Sequence, residues 1–239
     1  MSLYSPLYQG LGQFYRFAAI EISPPDMKSN AVTYVLSGGI VAAVLGPTTA
    51  KYSAHVIHAP YTGSFIVMAL LGVGNWIILA SVVFPSLPVK EGATGEGGGE
   101  VLLAPVPVRP LSTIITQPIF VLSCSIATLA HTVMVMVMSN CALAMSVDYS
   151  LGTASVVLEV HFLAMFLPGF FTGTLITLYG PFNIAVLGAV VYAVSAAVFA
   201  IDMSLWNFYL GMTLLGLGWN FSYSSATLML IKCYSVRWL

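Results

Sequence analysis

Charge is what this chain has least of: 7 Lys and Arg and 8 Asp and Glu among 239 residues, or 6%. Gripping a phosphate backbone takes clustered Lys and Arg, and no such cluster is present, so a nucleic-acid partner is excluded. The three cysteines, Cys124, Cys141 and Cys233, lack metal-ligand spacing and sit in apolar runs, which reads as buried free thiols. His55 and His58 stand at i, i+3 in a short polar stretch without a third ligand nearby, so they read as solvated loop histidines, and no metal or cofactor is expected. No basic, Ser-rich leader follows Met1, nor a short apolar segment ending in a small-residue cleavage site. What remains is apolar: 59% of residues are hydrophobic and the mean hydropathy is +0.95. A soluble domain of this length cannot hide so much apolar surface. The class expected is an all-α integral membrane protein.

A helix needs about 20 apolar residues to cross a bilayer, and the chain offers about seven such stretches. They are residues 3–22, 31–50, 61–84, 119–147, 151–179, 182–201 and 205–234, punctuated by Pro24-Pro25, Pro47, Pro85, Asp148, Gly180-Pro181 and Asp202. Between the third and fourth lies a Gly/Pro-rich, charge-bearing stretch with no apolar periodicity, which is linker chemistry. The expected organisation is therefore residues 1–85 with three spans, a linker at 86–118, and residues 119–239 with four. The stretch 182–201 is uniformly apolar and is expected to be the most lipid-exposed. In the second stretch Gly38, Gly39, Ala42, Ala43 and Gly46 make a small-residue packing face, and Pro47 is expected to kink or end that helix. Positive residues stay cytoplasmic; alternation places Arg16, Lys28, Lys90, Arg109, Lys232 and Arg237 on one side and Lys51 alone on the other, accounting for all 7. The linker and C-terminus are thus expected on the cytoplasmic side of a cell membrane, plasma or inner, with Met1 opposite.

Polar groups at membrane depth mark function by default. Arg16 is a rare charge in the first stretch, expected to face the interior of its half. Cys124, Thr128, His131 and Thr132 share one stripe of the fourth, expected to face protein or water. His161 interrupts the fifth, and Asn220, Tyr223, Ser224 and Thr227 fall at i, i+3, i+4 and i+7 on the seventh. His131, His161 and the stripe on the seventh are expected to face one shared polar cavity near the midplane. The alternative is that they only hydrogen-bond helices together. Glu159 is two residues from His161, about 200° around the helix, and is expected near the outer interface or against a neighbouring helix.

The stretch GLGQFYRFAAIEISPPDMKSNAVTYVLSGGIVAAVLGP resembles the fourth helix, cytoplasmic loop and fifth helix of the major facilitator superfamily of transporters. Arg16 matches that family's fourth-helix arginine. Gly46-Pro47 match the end of its fifth-helix glycine motif, with Gly39 before them and Ala42 in place of the earlier glycine; Ala50-Lys51 stand where two further glycines are usual. EVHFLAMFLPGFFTGTLI followed by LYG is similar to the eighth helix and loop of a bacterial-type subgroup, and GLGWNF to its tenth helix. Gly173, Leu175 and Gly180 match the family's loop motif, whereas Thr177 and Pro181 replace its Asp and Arg, so the two charges behind its gating role are absent. The resemblance runs from about helix four to helix ten of a twelve-helix plan, which implies a partial fold of that type and a chain truncated at both ends.

That resemblance implies secondary active or facilitative transport of a small organic solute by alternating access, with proton coupling as one form. The partners implied are the solute and the lipid bilayer. The alternatives are a truncated, non-transporting remnant or a membrane enzyme of unknown activity. For an enzyme, Ser125, His131 and Glu159 are the near-candidates, and no spacing brings them together as nucleophile, base and orienting group, so no catalytic residue is assigned.

Overall fold

The computed structural model describes residues 28–54, 56, 62–82 and 110–234, with isolated positions at 12, 15 and 19. Arg16 and most of the first expected span, His55, His58, the body of the linker and residues 235–239 lie outside the described residues. Every regular element described is helical: α1 (Lys28–Ser53), α2 (Thr62–Ser81), α3 (Leu111–Ile115), α4 (Pro118–Asp148), α5 (Leu151–Phe166), α6 (Gly169–Tyr179), α7 (Pro181–Phe199) and α8 (Leu205–Tyr234). Among the described residues four stretches are long and apolar enough to cross a bilayer: α2, α4, α5 with α6, and α7. The protein is an all-α bundle of several membrane-spanning helices.

Local chemistry sets the boundaries. Pro118 and Pro181 open α4 and α7 at the first helical turn, where a missing N–H costs nothing. Ser150 caps α5 by accepting from the Thr153 amide at 3.2 Å. Gly180 ends α6 with φ +84°, a left-handed value that a side chain would strain. The turn into α8 is tied by Asp202, which accepts from the Ser204 amide and from Asn207 Nδ2 at 2.8 and 2.7 Å. Hydrogen bonds from Ser204, and then from Asn207, hold the Asp202 carboxyl below the usual carboxylate range. Pro47 neither ends nor interrupts α1, which runs on to Ser53.

The hub of the bundle is α8, which carries the buried polar residues Asn220, Ser222 and Ser225 and packs against α7, α4, α5 and α6. Its partners each offer one narrow stripe: Ser123, Ala130, Met134, Cys141 and Met145 on α4, and Ile184, Ala185, Gly188, Ser195 and Val198 on α7. The other residues of each are half-buried or exposed, as expected when the solvent is lipid and hydrophobicity does not separate the two faces. This overturns the expectation that 182–201 is the most lipid-exposed stretch. The α7 span is 28% buried, whereas α2 is 6% buried. Small residues are the reason: Ser195 Oγ donates to the Gly211 carbonyl at 2.8 Å, and Gly188 sits directly against Ser222 and the Gly218 carbonyl. Two of the cysteines, Cys141 and Cys233, are buried as expected, but Cys124 is exposed.

Candidate functional site

Two of the expected polar residues, His161 and Asn220, meet where α5 crosses α8. Met212, Gly216 and Asn220 lie at i, i+4 and i+8 on α8 and form three successive contacts with α5. His161 Nδ1 is 2.8 Å from the Met212 carbonyl oxygen; a carbonyl only accepts, so Nδ1 carries the proton and Nε2 is the free lone pair. One turn on, a side chain on Gly216 would start 2.5 Å from the His161 carbonyl and 3.1 Å from the Met165 amide. Backbone-to-backbone approach of this kind requires glycine. At the third contact Asn220 Nδ2 donates to the Met165 carbonyl at 2.7 Å.

That last bond has a specific cause. Pro168 has no N–H and separates α5 from α6, and the Met165 carbonyl receives no bond from the Gly169 amide across the break. A buried carbonyl left unpaired costs about 1–3 kcal/mol, and Asn220 supplies the missing donor. The other end of its amide, Oδ1, lies 2.5 Å from Thr172 Oγ1 in the first turn of α6. Thr172 also approaches the Pro168 carbonyl at 2.8 Å, so one hydroxyl proton serves two acceptors. Asn220, 3% exposed, thus bridges both sides of the helix break.

Other members of the expected stripe are placed differently. Tyr223 is half-buried and stacks on Trp219, ring centroids 4.8 Å apart at 9°. Ser224 and Thr227 are half-buried, and Thr227 Oγ1 returns to the Tyr223 carbonyl at 2.9 Å. Trp219 belongs to a buried cluster with Ala130 and Met134 of α4 and Met165 of α5, against which Phe162, Tyr192 and Tyr223 pack. His131, half-buried, follows Ala130, whose carbonyl accepts from Tyr192 Oη at 2.9 Å. On the His131 stripe Cys124, Thr128 and Thr132 are exposed. Three buried polar atoms among the described residues have no hydrogen-bond partner: His161 Nε2, Trp219 Nε1 and Ser225 Oγ. No three His, Cys, Asp or Glu side chains among the described residues could share a metal ion.

The residues that sequence reasoning passed over are Thr172, Tyr192 and Trp219; of these only Trp219 carried a signal, as the centre of GLGWNF. Gly216 and Gly218 of that motif serve opposite faces of α8, since a side chain on Gly218 would start 3.1 Å from the Gly188 carbonyl of α7. On α1, Gly39 lies under the Phe166 ring, where a side chain would start 2.8 Å away, while Gly38, Gly46 and Gly173 face open space. Glu159 meets a neighbouring helix: Thr48 Oγ1 of α1 donates to its Oε1 at 2.5 Å. Beside this contact α1, α2 and α5 enclose a cavity of about 530 Å³, lined by Gly46, Pro47, Lys51, Phe65, Leu158 and Phe162 among others. None of His131, His161, Asn220, Tyr223, Ser224 or Thr227 lines it.

Comparison with known proteins adds the following. The chain is 34% identical over 236 residues, 98% of its length, to the riboflavin transporter RfnT of Brucella anthropi, of which it covers 57%. It is 25% identical over 227 residues, 90% of its length, to the uncharacterized MFS-type transporter YdeG of Bacillus subtilis, of which it covers 52%. The chain therefore spans about half the length of the curated relatives it matches. No family model matches it, and no solved structure does. It is an integral membrane protein similar along nearly all of its length to transporters of the major facilitator type.

Proposed function

We propose that this chain acts in the movement of a small organic solute across a cell membrane, as a secondary active or facilitative transporter working by alternating access. The observation that carries the reading is the 34% identity to a riboflavin transporter across 98% of the chain. It is supported by the all-helical bundle and by polar groups gathered on its most buried helix, α8. In this reading seven helices cross the membrane, in halves at 1–85 and 119–239 joined by a cytoplasmic linker. Arg16, His131, His161, Asn220, Tyr223, Ser224 and Thr227 face the solute path, with Gly39, Gly46, Pro47, Gly173 and Gly180 shaping the helices that move. A flavin is the first solute to test, since the relative that is 34% identical is named as a riboflavin transporter.

The competing role for the same residues is helix adhesion, favoured by the bonds of His161 to Met212 and of Asn220 to Met165 and Thr172. The test is uptake of labelled riboflavin by cells lacking their own uptake system, measured per folded molecule. Uptake is expected with the wild-type chain, falling at least tenfold in His161→Ala and changing with external pH if protons are coupled. Unchanged uptake in folded His161→Ala and Asn220→Ala leaves only adhesion, and no uptake of any solute by the folded wild-type chain defeats the transport reading.

A further inference from the structure

The cavity between α1, α2 and α5 is not part of the polar centre. Its long walls are apolar, with Ala42, Gly46, Phe65, Leu158 and Phe162 along them, and the cation Lys51 stands at one end. Since α1 and α5 run antiparallel here, Lys51 lies beside Gly152 at the start of α5, and Gly39 lies beside Phe166 at its end. From Lys51 to Ala42 is nine residues, about 14 Å along the helix axis. That is about half of the roughly 30 Å hydrocarbon thickness, so the cavity runs from the interface to the midplane, the depth of one leaflet's acyl chain. Its volume of about 530 Å³ lies within the range of small-molecule sites, roughly 300–1,000 Å³.

The cavity has a fixed rim and an open flank. At the Lys51 end α1 and α2 are pinned together: Ser53 Oγ is 3.1 Å from Ser64 Oγ, Ser64 Oγ donates to the Ala50 carbonyl at 3.0 Å, and Gly63 sits directly against the Ser53 carbonyl. Away from that end no α2 residue is buried among the described residues, which leaves the cavity a flank that the acyl chains of a bilayer can reach. Lys51 makes no ion pair with another described residue; its ammonium lies 5.4 Å from the centroid of the Tyr52 ring and 3.2 Å from where a side chain on Gly152 would start. Of the described carboxylates on the neighbouring elements, Asp148 is exposed at the end of α4 and makes no ion pair with Lys51, and Glu159, eight residues into α5 and about 12 Å deeper, is engaged by Thr48.

We propose that this cavity is a site for an anionic phospholipid, its phosphate at Lys51 and one acyl chain in the slot between α1, α2 and α5. Lipid in this position would fill the space between helices from the two sides of the linker. The proposal needs only the membrane placement of these helices, so a failure of riboflavin uptake leaves it standing.

The test uses the full chain in nanodiscs of excess phosphatidylcholine with a minor fraction of phosphatidylglycerol, followed by native mass spectrometry of retained lipid. The wild-type chain is expected to retain phosphatidylglycerol preferentially. Lys51→Gln should lower that preference about fivefold, matching about 1 kcal/mol for one cation at an anionic surface, without loss of chain occupancy. Gly46→Leu, whose side chain enters open space, should reduce retention of both lipids, and the milder Gly46→Ala replaces it if the leucine variant does not fold. Equal retention of the two lipids by the wild-type chain overturns the proposal. So does an unaltered preference in Lys51→Gln, or full retention in a folded Gly46 variant.

Discussion

Asn220→Ala removes the donor that serves the Met165 carbonyl at the α5–α6 break, and its cost can be worked from the bonds it makes. Asn220 Nδ2 is the partner of that buried carbonyl at 2.7 Å, and Thr172 retains the Pro168 carbonyl as an alternative acceptor. The loss is therefore one unsatisfied acceptor, about 1–3 kcal/mol. Helix–helix hydrogen bonds in membranes fall at the low end of such ranges, about 0.6 on average and about 1.7 at most. We expect about 1–2 kcal/mol, read as a shift in the midpoint of reversible SDS unfolding in mixed micelles, followed by helical ellipticity. The deciding measurement is the same substitution in a Pro168→Ala background. Without the ring, residue 168 can bond the Ala164 carbonyl, the helix can run through, and Gly169 can serve Met165. In that background Asn220→Ala should cost less than about 0.6 kcal/mol. Equal costs in the two backgrounds would refute the claim that Asn220 answers the proline break.

Gly216→Ala should destabilise by about 1–3 kcal/mol, because its side chain would meet the His161 carbonyl and Met165 amide, which cannot turn aside; Gly173→Ala faces open space and should be neutral in the same unfolding assay. Cysteines placed between residues 86 and 117 should be labelled by an impermeant thiol reagent only after the cell membrane is opened, and labelling of sealed cells would reverse the proposed topology.

Much of the helix pattern was legible because punctuation in the chain is chemical. The span expected at 119–147 is observed as Pro118–Asp148, and the one expected at 205–234 as Leu205–Tyr234. Proline, glycine and aspartate end helices through local backbone effects that need no knowledge of neighbours. Facing is different. In a bilayer an apolar residue is equally at home against lipid or against another helix, so the uniform hydropathy of α7 could not reveal that Gly188 and Ser195 lie against α8. Polar spacing was informative about α8 but not about each residue on it. Asn220, Tyr223, Ser224 and Thr227 share a periodicity, yet Asn220 turns to the α5–α6 break while Tyr223 stacks on Trp219. Only the position of Pro168, fixed by a different segment, separates them. The place of Trp219 in a buried cluster with residues of α4 and α5 was invisible because an aromatic residue in an apolar helix carries no signature of its neighbours.

The break at Pro168 also has a consequence in time. The Met165 carbonyl and the side chain that answers it are 55 residues apart. At about 5–20 residues per second, synthesis separates them by roughly 3–11 s. During that interval α5 and α6, end to end in one span, carry one open backbone acceptor and nothing from α8 to close it. The last helix in the described chain is thus the one that completes an earlier helix, so the α5–α6 break is closed only once α8 has emerged.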